Sequence, residues 1–447
     1  MRKLRLFAFL FSAVTLFAPL PSRALPAFAR QTGQDCAACH VGGFGPQLTA
    51  YGIQFKLGGY TASNGSSQLP LSAMAVGSWT HTSHNQSGPA GPNDGTNNNW
   101  SLQEASLFVA GAISDHIGSF VQSTWSDIDK KNTLDNVDLR YATASLRLFG
   151  ADTVAGISLN NNPTVQDPFN TEPAWRFPYM ASELVPESAT APLLDGGLEH
   201  QVIGASAYTY WNDAIYAEVG AYRSLSHALL TKVNVADDAG ELANAAPYLR
   251  LAYLKENGAA TYAAGIVGFD AALRPGRAAG PTDKYSDIGL DGMYQYAANR
   301  TDLYAFNGSY IHEHRKLDAS YASGDAGQRS GDVNALDLNA SYYYDETYGL
   351  TLGYFATSGS RDSGLYAFGD PDTGSANGRP DTSGFTLQAD WTPLGKSDSW
   401  AAPNMNLRVG MQYTAYTKFN GAAHNYDGFG RSASDNNTLY LFSWLSF

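Results

Sequence analysis

The stretch Asn404–Ala415 reads NMNLRVGMQYTA. Met405, Leu407, Val409, Met411 and Tyr413 fall on one face of an extended chain, and Asn404, Asn406, Arg408, Gln412 and Thr414 on the other. Successive side chains of a strand point to opposite faces, so alternation of period two marks a strand with two different surroundings. Sustained over ~9–12 residues, it has the length of a strand that crosses a bilayer obliquely. FTLQADWT repeats the scheme, with Phe385, Leu387, Ala389 and Trp391 against Thr386, Gln388, Asp390 and Thr392. In LDLNASYYY, Leu336, Leu338, Ala340, Tyr342 and Tyr344 oppose Asp337, Asn339 and Ser341.

Working outward, the same pattern predicts strands near 71–80, 101–113, 116–126, 135–149, 152–162, 200–211, 213–223 and 245–255. It continues near 259–269, 285–297, 302–315, 331–344, 347–358, 383–392, 404–417 and 437–447. Short turns follow even-numbered strands: Ser114-Asp115, Gly150-Ala151, Asn212, Glu256-Asn257-Gly258, Asn299-Arg300-Thr301 and Asp345-Glu346. Longer loops rich in Gly, Asn, Asp and Pro follow the odd-numbered ones, the longest from Pro163 to Glu199. About sixteen strands, short turns on one side and long loops on the other describe an all-β protein, a transmembrane antiparallel β-barrel of the bacterial outer membrane. The chain closes on LYLFSWLSF, a last strand ending in Phe447, which looks like the outer-membrane assembly signal.

Composition agrees. Residues 1–24 carry a basic start (Arg2, Lys3, Arg5), an apolar run from Leu6 to Leu20 and Ser22-Arg23-Ala24 as a cleavage site, the pattern of a secretory signal. Removing its four cations takes the net charge from −13 to −17, which argues against nucleic acid as a partner. No later apolar run has the length of a membrane-spanning helix, so lipid contact falls to strands. Asp167, Glu172, Glu183 and Glu187 in the longest loop read as a solvated acidic loop rather than as ligands for Fe(II) or Ca²⁺. Asn160-Asn161-Asn162-Pro163 is either a plain strand end or a turn into the lumen. Arg140, Arg147, Arg250 and Arg408 read as lumen-facing candidates.

The only two cysteines stand in Cys36-Ala37-Ala38-Cys39-His40, a C-x-x-C-H run. In that signature both thiols add to the haem vinyl groups and the histidine becomes the proximal iron ligand. A thioredoxin-like redox site needs βαβ surroundings, and a zinc site needs a second ligand pair; neither is visible. One covalent haem c, bound through Cys36, Cys39 and His40, is the reading. Residues 25–70 are too few to enclose a porphyrin alone. They are therefore expected to form an N-terminal haem-binding plug inside a barrel of residues 71–447, entered from the periplasmic side. No Met or His lies between His40 and Met74. Parity places Met74 and Met293 on the lumen face as candidates for the sixth ligand. His81, His84, His312 and His314, near strand ends, leave histidine or five-coordinate ligation open.

PAFARQTGQDCAACHVGGFGPQL and YGIQFKLGGYT resemble the N-terminus of fused outer-membrane monohaem cytochrome–porins, whose best-known members are iron oxidases of Fe(II)-oxidising bacteria. The matching positions are Phe28 to Gly33, Cys36, Cys39, His40, Phe44, Leu48, Gly52, Phe55-Lys56-Leu57 and Gly59-Tyr60. Asn160 to Tyr179 and the closing NYDGFGRSASDNNTLYLFSWLSF are also similar. The resemblance implies an electron conduit with possible Fe(II) oxidase activity. An extracellular donor, Fe(II), would reduce the haem, and a periplasmic cytochrome or similar carrier would collect the electron. The same conduit with another donor, and a diffusion porin whose haem senses redox state or a ligand, are the competing functions.

Overall fold

A computed structural model describes residues 26–65, 70–299, 301–370 and 373–447. The signal segment 1–24 and Arg300 of one expected turn lie outside the described residues. Sixteen long strands form one closed antiparallel sheet. They are β1 (Leu71–Thr82), β2 (Asn99–Ala112), β3 (Ile117–Ser126), β4 (Lys131–Leu148), β5 (Ala151–Asn160), β6 (Val202–Trp211), β7 (Ile215–Ser224) and β8 (Ala246–Asn257). The second half adds β9 (Ala260–Arg274), β10 (Asp283–Ala297), β11 (Asp302–Leu317), β12 (Ser330–Tyr344), β13 (Tyr348–Gly359), β14 (Thr382–Trp391), β15 (Asn406–Lys418) and β16 (Thr438–Ser446). Each pairs with the next, and β1 pairs with β16, Met74 opposite Ser446 and Thr82 opposite Thr438. A two-residue strand, Glu241–Leu242, adds to the end of β9.

The distribution of side chains is the reverse of a soluble protein. On β15, Asn406, Arg408 and Gln412 are buried while Met411 and Tyr413 are exposed. On β14, Thr386, Gln388 and Asp390 are buried while Phe385, Leu387 and Trp391 are exposed. Exposed apolar side chains around a closed ring make a band that only lipid can cover, so this is a membrane-spanning barrel of the outer-membrane type. Tyr296, Tyr304, Tyr344, Tyr348 and Trp391 stand outward at the short-turn ends of their strands, as an interfacial aromatic girdle does. No helix among the described residues is long and apolar enough to cross a membrane.

The short turns use left-handed backbone at two successive residues. Asn212 and Asp213 have φ of 54° and 47°, and Asp345 and Glu346 have 50° and 49°. Such turns carry the twist that tight hairpins need. Two connections break the expected alternation: residues 127–130 after β3 are few, and 392–405 after β14 are many.

The longest loop, 161–201, folds into the lumen instead of into solvent. Val165, Gln166 and Asp167 are fully buried, and Phe169 is nearly so. Arg250 on β8 holds it: its guanidinium lies 3.1 Å from Asp167 Oδ1, 2.5 Å from Glu172 Oε1 and 2.8 Å from Asp291 Oδ2 on β10. Asp167 also accepts the backbone N–H groups of Phe169, Thr171 and Glu172, at 3.0, 2.7 and 3.1 Å. This corrects the solvated-loop expectation for Asp167 and Glu172, which are buried and paired; Glu183 and Glu187 do remain exposed.

Leu290 lies mid-strand on the lipid face of β10. Leu290→Arg should cost about 2–4 kcal/mol, read as loss of the heat-modifiable folded band from outer-membrane fractions. The lumen-facing change Thr386→Ser should leave that band in place.

Candidate functional site

Among the described residues, three short α-helices lie upstream of β1: α1 (Pro26–Thr32), α2 (Cys36–Cys39) and α3 (Ala50–Leu57). Their contacts come from strands all round the ring, which places the segment inside it. Arg408 Nη2 on β15 donates to Phe44 O at 2.6 Å, and Asn406 Nδ2 to Gly43 O at 2.7 Å. Gln295 Nε2 on β10 donates to Leu48 O, and Tyr208 O–H on β6 to Leu57 O, each at 2.7 Å. Tyr60 O–H donates to Asp138 on β4 at 2.7 Å. The in-turned loop seals the other side: Lys56 Nζ donates to Val165 O at 2.9 Å and to Asn170 Oδ1 at 2.7 Å, and lies 4.5 Å from the Trp175 ring centroid.

The C-x-x-C-H run sits at the rim formed by the short turns. Asp35 caps α2, its Oδ1 accepting the Ala38 N–H at 2.8 Å, while Oδ2 accepts Ser397 N–H at 3.0 Å from the connection after β14. Ala37 N–H donates to Gly395 O at 3.2 Å. Cys36 and Cys39, one turn apart on α2, share a face. His40 leaves the helix in extended conformation and bridges to Leu48. Thr49 braces the motif through its N–H to Cys39 O at 2.9 Å and its hydroxyl to Ala38 O at 2.5 Å. Close approach of α3 requires Gly52, where a Cβ would fall 2.3 Å from Cys39 O.

Burial pushes Cys36 up to about 11 and Cys39 up to about 12, so neither is a reactive thiolate. Burial, and then the Arg408 charge, hold the His40 imidazole down to about 4, so it is neutral at physiological pH. Two thiols one turn apart and a neutral imidazole next to them fit the donor set of a thioether-linked haem.

Met74 and Met293 both face the lumen but lie in different clusters. Met74 packs with Ala27, Phe108 and Ala110, and Trp444 Nε1 lies 3.1 Å from its sulfur. Met293 packs with Leu48, Ile53 and Leu57, and Gln295 Nε2 lies 3.5 Å from its sulfur. Met180, in the inward loop, is a third buried methionine and was not anticipated; strand parity carries no information in a loop. Its carbonyl accepts from Gln412 Nε2 at 2.9 Å. His312 and His314 are exposed on β11 and face away from the lumen. Arg140, Arg250 and Arg408 are buried as expected. Arg147 lies at the exposed end of β4, paired with Asp152 at 3.0 Å; the one-residue irregularity between Thr143 and Leu146 puts it on the same face as Arg140.

No family model matches the sequence, and no curated protein matches it. Solved structures match the fold. OprB of Pseudomonas putida has TM-score 0.50 at 10% identity, over 84% of this chain and 93% of that one. The outer membrane channel DcaP of Acinetobacter baumannii has TM-score 0.46 at 12% identity, over 84% and 96%. OmpT of Vibrio cholerae has TM-score 0.43 at 11% identity, over 86% and 99%. At these identities the likeness concerns architecture alone.

Two expectations follow from the buried charges. Arg250→Leu strands three carboxylates and should destabilise the barrel by about 3–5 kcal/mol. Freed of that anchor, the inward loop should loosen and single-channel conductance in planar bilayers should rise. Lys56 is held down to about 7 by burial and then by Arg140, against ~10.5 in an unfolded chain. Between those values the unfolded chain binds one more proton, so stability should rise with pH from ~7 to ~10.5. Lys56→Met should flatten that slope in urea titrations of the detergent-solubilised barrel.

Proposed function

We propose that this chain is an outer-membrane c-type cytochrome–porin that passes electrons from an extracellular donor, Fe(II), to a periplasmic carrier. The observation that carries the reading is the C-x-x-C-H run held at the rim of the lumen, with two thiols one helical turn apart beside a buried, neutral His40. Cys36 and Cys39 would hold a haem c as thioethers, and His40 would be its axial ligand. When bound, that group supplies a one-electron Fe(III)/Fe(II) couple.

The chain's own residues set the conditions for that couple. Asp35 and Thr49 fix the motif against the rim and against α3. The position of the motif beside the connection after β14 puts it next to the periplasm, where a carrier can reach it. Arg408 places fixed positive charge near His40, which disfavours the more oxidised state and raises the reduction potential. The net charge of −13 suits a cationic donor. Residues 26–65 and the loop 161–201 fill the lumen, so electrons can cross where solutes do not.

Purified protein should show one covalent haem by alkaline pyridine spectra, lost in Cys36→Ser with Cys39→Ser. Addition of Fe(II) to the oxidised protein should bring up the reduced α-band. Absence of covalent haem from the wild type would end the cytochrome reading. Haem that Fe(II) does not reduce would leave a conduit for a different donor. Open-porin conductance of the wild type in planar bilayers would favour the diffusion porin.

A further inference from the structure

A second concentration of chemistry lies at the opposite, long-loop mouth of the lumen. Asp135 near the start of β4 meets Glu199 and His200, the residues just before β6. His200 Nε2 is 3.0 Å from Asp135 Oδ1 and 3.1 Å from Glu199 Oε1. That nitrogen is buried and within hydrogen-bond reach of both oxygens. One ligand atom from each residue lies within 4.8 Å of the other two, the spread that a single ion bridges.

The surroundings orient these groups. Thr124 Oγ1 donates to Asp135 Oδ2 at 2.6 Å, and Asn136 Nδ2 donates to Oδ1 at 3.0 Å, leaving Oδ1 a further lone pair. Asn161 Nδ2 donates to Asp135 O at 2.6 Å, so the entry and the exit of the inward loop meet at this point. Glu199 is 42% exposed and gives an ion its way in. Glu183 lies within electrostatic range of Asp129, Glu187 and Asp135, which makes the mouth a region of negative potential. An imidazole nitrogen with carboxylate oxygens suits first-row divalent ions; Ca²⁺ and Mg²⁺ prefer all-oxygen sets.

We infer that Asp135, Glu199 and His200 form a binding site for a first-row divalent transition-metal ion at the outer mouth of the lumen. The site is independent of Cys36, Cys39 and His40. A bound ion would tie both ends of the inward loop to β4.

The test uses Mn(II) as probe on the purified full-length protein, with the free aqua-ion followed by electron paramagnetic resonance. The wild type should remove one Mn(II) per chain, and spin-echo modulation should report a directly bound imidazole nitrogen. Asp135→Asn, Glu199→Gln and His200→Asn should each weaken binding at least about tenfold, and His200→Asn should erase the nitrogen modulation. Cys36→Ser should bind Mn(II) as the wild type does, which separates this site from the haem reading. Heat-modifiable migration checks that each variant folds, and Glu199→Gln, the most open position, keeps the test available if the others do not. An imidazolium shared by the two carboxylates gives the same distances with no metal; it predicts no loss of free Mn(II). That result, binding unchanged in the folded variants, or binding without nitrogen modulation overturns the proposal.

Discussion

The ladder between β1 and β16 joins residues 74–82 to residues 438–446, the two ends of the barrel sequence. In hydrocarbon each unpaired backbone N–H or C=O costs several kcal/mol, so a sheet that crosses the membrane has to end on itself. Closure then dictates the rest. It fixes an outward face that meets lipid and an inward face that meets whatever fills the ring. Here the filling is the chain itself, and it brings charge. Arg140 pairs with Asp138 at 2.8 Å, and Arg250 pairs with three carboxylates, all out of contact with bulk water. Such pairs contribute little net stability, but breaking one leaves a charge with no compensation. The contents of the lumen are thereby tied to particular strands.

The sixteen strands were legible because two solvents write on alternate residues. NMNLRVGMQYTA carries that imprint along its whole length, and so does FTLQADWT. Where a strand rises beyond the lipid the imprint fades, and the expected limits fall short. β4 begins at Lys131, four residues before the expected 135, because KNTL shows no alternation. β9 continues past 269 to Arg274 through DAALR for the same reason. The extra residue in β4 between Thr143 and Leu146, which puts Arg147 on the face of Asp152, is an irregularity of pairing that leaves no mark on a hydrophobic pattern.

Only the local parts of the candidate site can be read from sequence. Cys36, Cys39 and His40 form a five-residue grammar, and Met74 and Met293 followed from parity. What the sequence did not disclose is who meets whom across the lumen. Arg250 reaches Asp167 and Glu172 from some eighty residues away, and Arg408 meets Phe44 from the far end of the chain. Asp167 and Glu172 look like solvent-facing loop residues until the loop is known to turn inward. Met180 and the Asp135, Glu199, His200 group depend on that same turn. Loop direction is set by tertiary partners rather than by local propensity, so it has no short-range signal.

Time is the remaining consequence of the closed seam. α3 is held at once by Tyr208 and Gln295 from different walls, and Tyr60 by Asp138 from a third. A segment gripped from several directions is enclosed as the ring forms around it, since β1 and β16 are the strands most distant in sequence and meet late. Under the proposed function, a haem on Cys36 and Cys39 would be attached before that moment, while the thiols are still clear of the rim. On that reading export and attachment would come before closure, as steps in an ordered series.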